Sequence, residues 1–401
     1  MKKILIKSAE LIGFNDPQNG QVLDLLIGSD GCVEQLGNDL SCAEAHVINA
    51  RGKFISPGWC DLHTHIYYGA TDVSVKVSDV GVKTGVTTLV DAGSAGEANF
   101  VGFREYISVP SKEDIYSFLN IGSIGLVACN RVSELAGLSS IDMEKSLDCV
   151  NANKDLIKGI KVRGSGVIVG EWGITPVKMA KKIAKLTNLP LMVHLGEAPP
   201  LADEILDLLT PGDIITHCFH GKRGVNILED MELFRYSQKL ASQGVVLDIG
   251  HGAASFSYKV GIFGIQNGLI PTTISTDLHS RNINGPVWNL STVMSKFLAM
   301  GMILEDVIRA SSVNPRKAIQ QTVNNLIAPG ARAMFTIFEL QESELMLPDS
   351  EGTPLNLAEM INPLFTVLDN EVIDCDAKVK FNIFPKPGVE HTPKYINLGA
   401  C

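Results

Sequence analysis

The chain has 401 residues, 45% of them hydrophobic and 19% charged, which indicates a well-packed globular protein and excludes a disordered one. Its formal net charge of −10 argues against nucleic acid or an anionic membrane as partner, since both require a basic face. No apolar run approaches the roughly 20 residues of a membrane span. The basic start Met1-Lys2-Lys3-Ile4-Leu5-Ile6-Lys7 is too short in apolar residues for a signal peptide. Cysteines stand at 32, 42, 60, 129, 149, 218, 375 and 401 with no CxxC pair, so the expectation is a reduced, cytoplasmic protein without a disulfide framework.

Residues 1–56 read as short β segments, 3–7, 22–27 and 32–34. They are separated by the turn formers Asn15-Asp16-Pro17 and Ser29-Asp30-Gly31. From 57 to 325 short apolar runs alternate with amphipathic stretches, the pattern of βα units around a parallel sheet. Eight runs fit a strand: 59–63, 87–91, 115–119, 159–162, 191–194, 214–217, 245–249 and 273–277. Between the fourth and fifth, Thr175 suits an N-cap and Pro176 a first helical turn, with Val177, Ala180, Ile183 and Ala184 on one face. After 325 the chain returns to β-like segments at 334–339 and 378–383.

Eight repeats over this length predict a (β/α)8 TIM barrel at 57–325. A doubly wound open sheet is the alternative, but it carries a glycine-rich phosphate loop after its first strand. Here that place is taken by His63-Thr64-His65. Residues 1–56 and 326–401 are expected to form one small β-sandwich domain from both chain ends.

In such a barrel the strand C-termini open onto the face that carries active sites. His63 and His65, two apart in an extended segment, point the same way there, and a pair of imidazoles aimed together is half of a metal site. Lys161 lies on the fourth strand, His194 ends the fifth, His217 the sixth and Asp277 the eighth. Their separations agree with about 30 residues per βα unit. Taken singly, each has a bland reading: a core histidine, a snorkelling lysine or a capping aspartate. Together they place four histidines, a lysine and an aspartate at one mouth.

The pattern resembles the amidohydrolase superfamily in its binuclear, dihydroorotase-like branch. The resemblance covers nearly the whole chain, through Pro57-Gly58-Trp59-Cys60-Asp61-Leu62-His63-Thr64-His65, Gly85-Val86-Thr87-Thr88, Ile160-Lys161-Val162-Arg163, Val193-His194, Thr216-His217-Cys218 and Ser275-Thr276-Asp277-Leu278-His279. Stretches such as His194-Leu195-Gly196-Glu197-Ala198-Pro199-Pro200 and Asp248-Ile249-Gly250-His251-Gly252 are similar to the amidohydrolase/deacetylase group. The resemblance implies two divalent metal ions, Zn²⁺ best suiting the ligands, with Mn²⁺, Co²⁺ or Fe²⁺ as substitutes. His63, His65 and Asp277 would hold one ion and His194 and His217 the other. Lys161 would carry a CO2-derived carbamate bridging both, because an ammonium cannot ligate a cation and a carbamate can. A metal-bridging hydroxide would be the nucleophile, with Asp277 moving its proton to the leaving group.

The implied reaction is hydrolysis of an acyl amide or ester, the acyl group being acetyl, of a small carboxylate-bearing molecule. Cyclic-amide hydrolysis as in dihydroorotase, adenine deamination and an inactive scaffold are the alternatives. Dihydroorotases carry an arginine two residues after the second histidine, where this chain has Tyr67. Arg163 shares the face of Lys161 and suits a substrate carboxylate. His251, Tyr67, Trp172 and His279 are further candidates for substrate contact, with Tyr68, Glu171 and His220 also near the mouth. The expected partners are a small-molecule substrate and further copies of the chain in a closed homo-oligomer.

Overall fold

The computed structural model describes residues 2–12, 18–129, 131–323 and 326–375. The expected turn at Asn15-Asp16-Pro17 and the expected strand at 378–383 lie outside the described residues. Five strands come first: β1 (Ile4–Leu11), β2 (Val22–Ile27), β3 (Val33–Gly37), β4 (His46–Asn49) and β5 (Phe54–Pro57). Seven parallel strands follow: β6 (Trp59–Thr64), β7 (Val86–Ala92), β8 (Asp114–Asn120), β9 (Ile157–Gly164), β10 (Leu191–Leu195), β11 (Ile214–Thr216) and β12 (Val246–Asp248). They pair in sequence order, β6 through β12, as one sheet.

The alternation of side chains explains why apolar residues stand on both faces of these runs. Cys60, Leu62, Val90, Phe118, Met192 and Ile214 point to one face and cluster with Ala318 and Ile319, at the end of the helix Val313–Ala318. The intervening residues, among them Leu89, Ile160, Val162, Val193 and Ile215, pack into the larger helix-covered core. With both faces covered, apolar residues are needed on each of them. Lys161 and Arg163 flank Val162, so they share the inner face.

The eighth run is an extended segment rather than a ladder-forming strand, and it still closes the barrel. Single parallel bridges join Asp248 to Thr273 on one side and Thr64 to Leu278 on the other. Asp277 N donates to the His63 carbonyl at 2.7 Å and His251 N to the Ser275 carbonyl at 3.2 Å. The regular ladder fails because side chains take over backbone groups. The Asp61 carboxylate accepts from Thr276 N at 3.1 Å, and the Ser275 hydroxyl accepts from Gly250 N at 2.9 Å. The result is a (β/α)8 barrel whose last strand is held by polar side chains.

Strands from both chain ends form a second sheet. It is completed by β13 (Met334–Pro348), β14 (Pro354–Leu368) and β15 (Glu371–Asp374), in the order β15-β14-β13-β5-β1-β2-β3, with β4 on β1. Ile4, Ile6, Leu25, Ile55, Phe335, Ile337 and Val367 make its own apolar core. β13 runs nine residues beyond the expected 334–339, because it pairs with β14 in a long antiparallel hairpin. The hairpin tip docks on the barrel: Tyr258 N donates to Asp349 Oδ2 at 2.9 Å and the Ser257 hydroxyl to Glu351 Oε2 at 2.8 Å.

The expected helix spans Thr175–Thr187 and buries Val177, Ala180, Ile183 and Ala184 as anticipated. Its N-cap is Ile174, one residue before Thr175, and no side chain caps it. Among the described residues no helix is long and apolar enough to cross a membrane.

Candidate active site

The barrel mouth brings all six expected ligands together. His63 is near the end of β6 and His65 follows it, Lys161 lies on β9, His194 on β10, and His217 directly follows β11. His63 Nε2 is 3.3 Å and His65 Nε2 is 3.1 Å from Asp277 Oδ1. The Lys161 Nζ lies 3.3 Å from His63 Nε2. The rings of His194 and His217 cross at 76° with centroids 4.3 Å apart. Ligand atoms of His63, His217 and Asp277 all fall within 4.8 Å of one another, and the three residues are buried. A small cavity of about 30 Å³ opens over this group, lined also by Val73, Leu126, Cys129, Arg163 and His279.

The hydrogen bonds behind the rings fix which nitrogen faces inward. Thr216 donates its hydroxyl proton to Asp248 at 2.7 Å, and so accepts from His63 Nδ1 at 2.9 Å. His65 Nδ1 pairs with the Ser94 hydroxyl at 2.9 Å, and that hydroxyl bonds the Asp91 carboxylate. His217 Nδ1 donates to the Gly250 carbonyl at 2.6 Å. Each of these rings therefore carries its proton on Nδ1, which leaves the Nε2 lone pair directed into the site. His217 Nε2 is buried without a hydrogen-bond partner among the described residues. A buried lone pair left in this way is what a cation would satisfy.

Burial keeps His63, His194 and His217 neutral. It draws His63 down to about 4 and holds His194 and His217 well below the ordinary histidine value. Burial alone would raise Asp277, but the neighbouring His63, His65 and His217 outweigh it and keep the carboxyl ionised. Burial, opposed by Asp277 and Asp248, pulls the Lys161 amine down to about 8. Neutral imidazoles and a carboxylate are the ligating forms of these groups.

The backbone is bent to suit. His217 and Asp277 both adopt the left-handed region, at φ 66° and 50°. Such conformations cost about 1 kcal/mol or more and cluster at functional sites. At Gly93, with φ +87°, a Cβ would lie 2.7 Å from Lys161 Cγ, so only glycine lets the lysine stem pass.

The expected substrate contacts divide. Arg163 and His279 line the cavity. The Arg163 guanidinium donates twice to Glu134, both bonds 2.7 Å, in a buried bidentate pair. Tyr67, Trp172 and His251 are not in the cavity wall. The Tyr67 hydroxyl donates to the Asn99 carbonyl at 2.8 Å, and its ring packs edge-on against Phe103. Trp172 is half-buried on a short 3-10 turn, Gly170–Trp172, against the outer core. His251 is fully buried, with Nδ1 on the Gly252 carbonyl at 3.0 Å. Tyr68 and Glu171 are exposed, and His220 is buried with Nδ1 accepting from Lys222 N at 3.1 Å.

Sequence reasoning missed Val73, Leu126 and Cys129, which form one small apolar cluster in the wall. They lie outside the strands and helices, so no periodicity marks them. It also missed Asp91 and Asp248, although an acidic residue near the end of an apolar barrel strand was a readable signal.

No family model matches the chain. It is 50% identical over 373 residues to a deacetylase of Brucella anthropi, covering 93% of each chain. It is 33% identical over 381 residues to a deacetylase of Enterococcus faecalis, covering 92% of this chain and 99% of that one. Among solved structures, one described as a dihydroorotase superposes with a TM-score of 0.91 at 48% identity, over 93% of this chain and 98% of that chain. Another, described as an adenine deaminase, gives 0.84 at 32% identity, over 93% of this chain and the whole of that one. With such identity along nearly the full length of both chains, and with the six-residue constellation assembled at the barrel mouth, the chain belongs to the amidohydrolase superfamily, in the group of the bacterial deacetylases.

Proposed function

We propose that the protein is a metal-dependent deacetylase that hydrolyses an acetyl amide or ester of a small carboxylate-bearing molecule. The observation that carries this reading is the set of buried histidines with Nε2 turned inward around Asp277, beside a fully buried Lys161. The 50% identity to a named deacetylase supports the choice of acyl group.

His63, His65 and Asp277 would hold one divalent ion, and His194 and His217 a second, with a carbamate on Lys161 between them. Nitrogen and oxygen ligands of this kind favour Zn²⁺. The lowered affinity of Lys161 for its proton favours the free amine, the form that adds CO2. When bound, such ions acidify a water and polarise the substrate carbonyl.

The chain's own residues supply the rest. Asp277 takes a proton from the attacking water and delivers it to the departing nitrogen or oxygen, so acetate and an amine or alcohol are released. The His63–Thr216–Asp248 and His65–Ser94–Asp91 relays keep both rings in one tautomer throughout. Arg163, held flat by Glu134, presents its charge at the cavity wall to the substrate carboxylate. Tyr67, in the position of the arginine that marks dihydroorotases, turns away to Asn99 and favours an open-chain substrate over a cyclic amide.

The separate core of the second sheet supports reading 1–56 and 326–401 as one small β-sandwich domain beside a barrel at 57–325. The acidic composition and scattered cysteines support a cytoplasmic protein acting on a small molecule, with neither nucleic acid nor membrane as partner, and a closed homo-oligomer is the common arrangement for such a protein. The test is a screen of N- and O-acetylated hydroxy and amino acids with Zn²⁺-loaded protein. Acetate release is expected. Ammonia release from adenine, or no release from any compound, would overturn the reading.

A further inference from the structure

Behind the site lies a buried lysine that the chemistry above does not use. Lys296 sits in the helix Leu290–Ala299 and is fully shielded from solvent. An ammonium has three donors, and three acceptors surround this one. They are the carbonyls of Pro286 and Pro348, each at 2.7 Å, and His251 Nε2 at 2.8 Å. The rings of Tyr258 and Trp288 lie 5.7 and 5.6 Å away, within cation–π range. Burying an amine is costly, so a site this complete points to what the amine holds in place.

His251 connects it to the ligands. Its Nδ1 donates to the Gly252 carbonyl, which leaves Nε2 to accept from Lys296. The loop 250–252 then touches two ligands. The Gly250 carbonyl accepts the Nδ1 proton of His217. Gly252 N donates to the Thr276 carbonyl at 2.9 Å, next to Asp277. Gly252 has φ +60°, and a Cβ there would stand 2.6 Å from Asp277 Oδ2, so the loop abuts the carboxylate directly. The hairpin tip secures the loop from outside: the Ser350 hydroxyl lies 2.9 Å from the Gly252 carbonyl and 3.1 Å from that of His251.

We propose that Lys296, through His251, and Ser350 at the β13–β14 tip are positioning residues for the loop 250–252, which sets the ring of His217 and the carboxylate of Asp277. The sheet built from the chain ends thereby takes part in the geometry of the barrel site. The proposal rests on the metal-dependent reading above. No group in this network lines the cavity; its effect is exerted on two of the expected ligands, His217 and Asp277.

The test uses full-length Lys296→Met and Ser350→Ala proteins loaded with Co²⁺, whose visible absorption reports ligand geometry without any substrate. Both variants are expected to shift the Co²⁺ bands. On an acetylated substrate they should lower kcat by about 10- to 100-fold while KM stays within about twofold, the size of effect seen when partners behind metal ligands are removed. Wild-type Co²⁺ spectra in folded variants would overturn the proposal. If Lys296→Met does not fold, Ser350→Ala decides alone, since it removes one hydroxyl at a partly buried hairpin tip. If the wild-type protein releases no acetate, the deacetylase reading fails, while the Co²⁺ comparison still decides the positioning role.

Discussion

His63 Nε2 lies 3.3 Å from Asp277 Oδ1, although the two residues belong to the first and last segments of the barrel. The contact exists because the closing segment is bonded to the first strand by backbone, Asp277 N to the His63 carbonyl. The oxygen that meets both His63 and His65 leaves Oδ2 beside Gly252 for proton transfer. Asp277→Asn keeps the shape and removes the basic oxygen. Turnover should fall by about 100- to 10,000-fold with metals restored. Steady-state acetate release checks this, and near wild-type turnover would contradict the proton-carrying role.

Lys161→Met preserves most of the buried volume and removes the nitrogen. Metal per chain should drop, and turnover should fall by orders of magnitude, because no carbamate can form. Elemental analysis after exhaustive dialysis measures the first quantity. Two metals per chain in the variant would show that Lys161 is not a bridge.

The Thr216–Asp248 pair holds the tautomer of His63. Thr216→Val is nearly isosteric and breaks the relay. Metal affinity, titrated against a chelator, should weaken by about 10- to 100-fold. An unchanged affinity would mean that packing alone orients the ring.

Arg163 and Glu134 are both buried, and their fork-to-fork pair spans β9 and the loop after β8. Glu134→Gln removes the charge that the guanidinium faces. Urea unfolding should show a loss of about 3 kcal/mol, typical of breaking a buried ion pair from one side. A loss below about 1 kcal/mol would place the pair in a wetter setting than its burial indicates.

Burial holds His63 and His279 at about 4 and His220 at about 3, all below the unfolded value near 6.5. Between these values the unfolded chain binds more protons than the folded one. Stability of the metal-free protein therefore rises with pH through that window and is lost on acidification. Thermal melts should show Tm falling steeply from about pH 6.5 towards pH 4. A flat Tm across this range would mean that these rings are solvated.

The ligand set was legible because each member stands at or near the end of an apolar run, and the fold carries such ends to one face. What holds the ligands was not legible. Thr216 reaches Asp248 and His65 reaches Ser94 across neighbouring strands, pairings that no local spacing encodes. The eighth strand was read as a regular one, from the run 273–277; Thr276 N is instead claimed by the Asp61 carboxylate, and the Ser275 hydroxyl takes Gly250 N from the neighbouring segment. Tyr67 was read toward the mouth from its distance to His65, yet the chain turns after β6 and carries it into the Phe100 and Phe103 core. Lys296 gave no signal, being a single lysine in a helix that also carries Ser291, Thr292 and Ser295 among its apolar residues.

An anomalous-scattering map from crystals grown with Zn²⁺ would examine the barrel mouth itself. Two peaks are expected there, one among His63, His65 and Asp277 and one beside His194 and His217, with added density on Lys161 Nζ between them. A mouth without metal, or a single peak with an unmodified Lys161, would contradict the two-metal site.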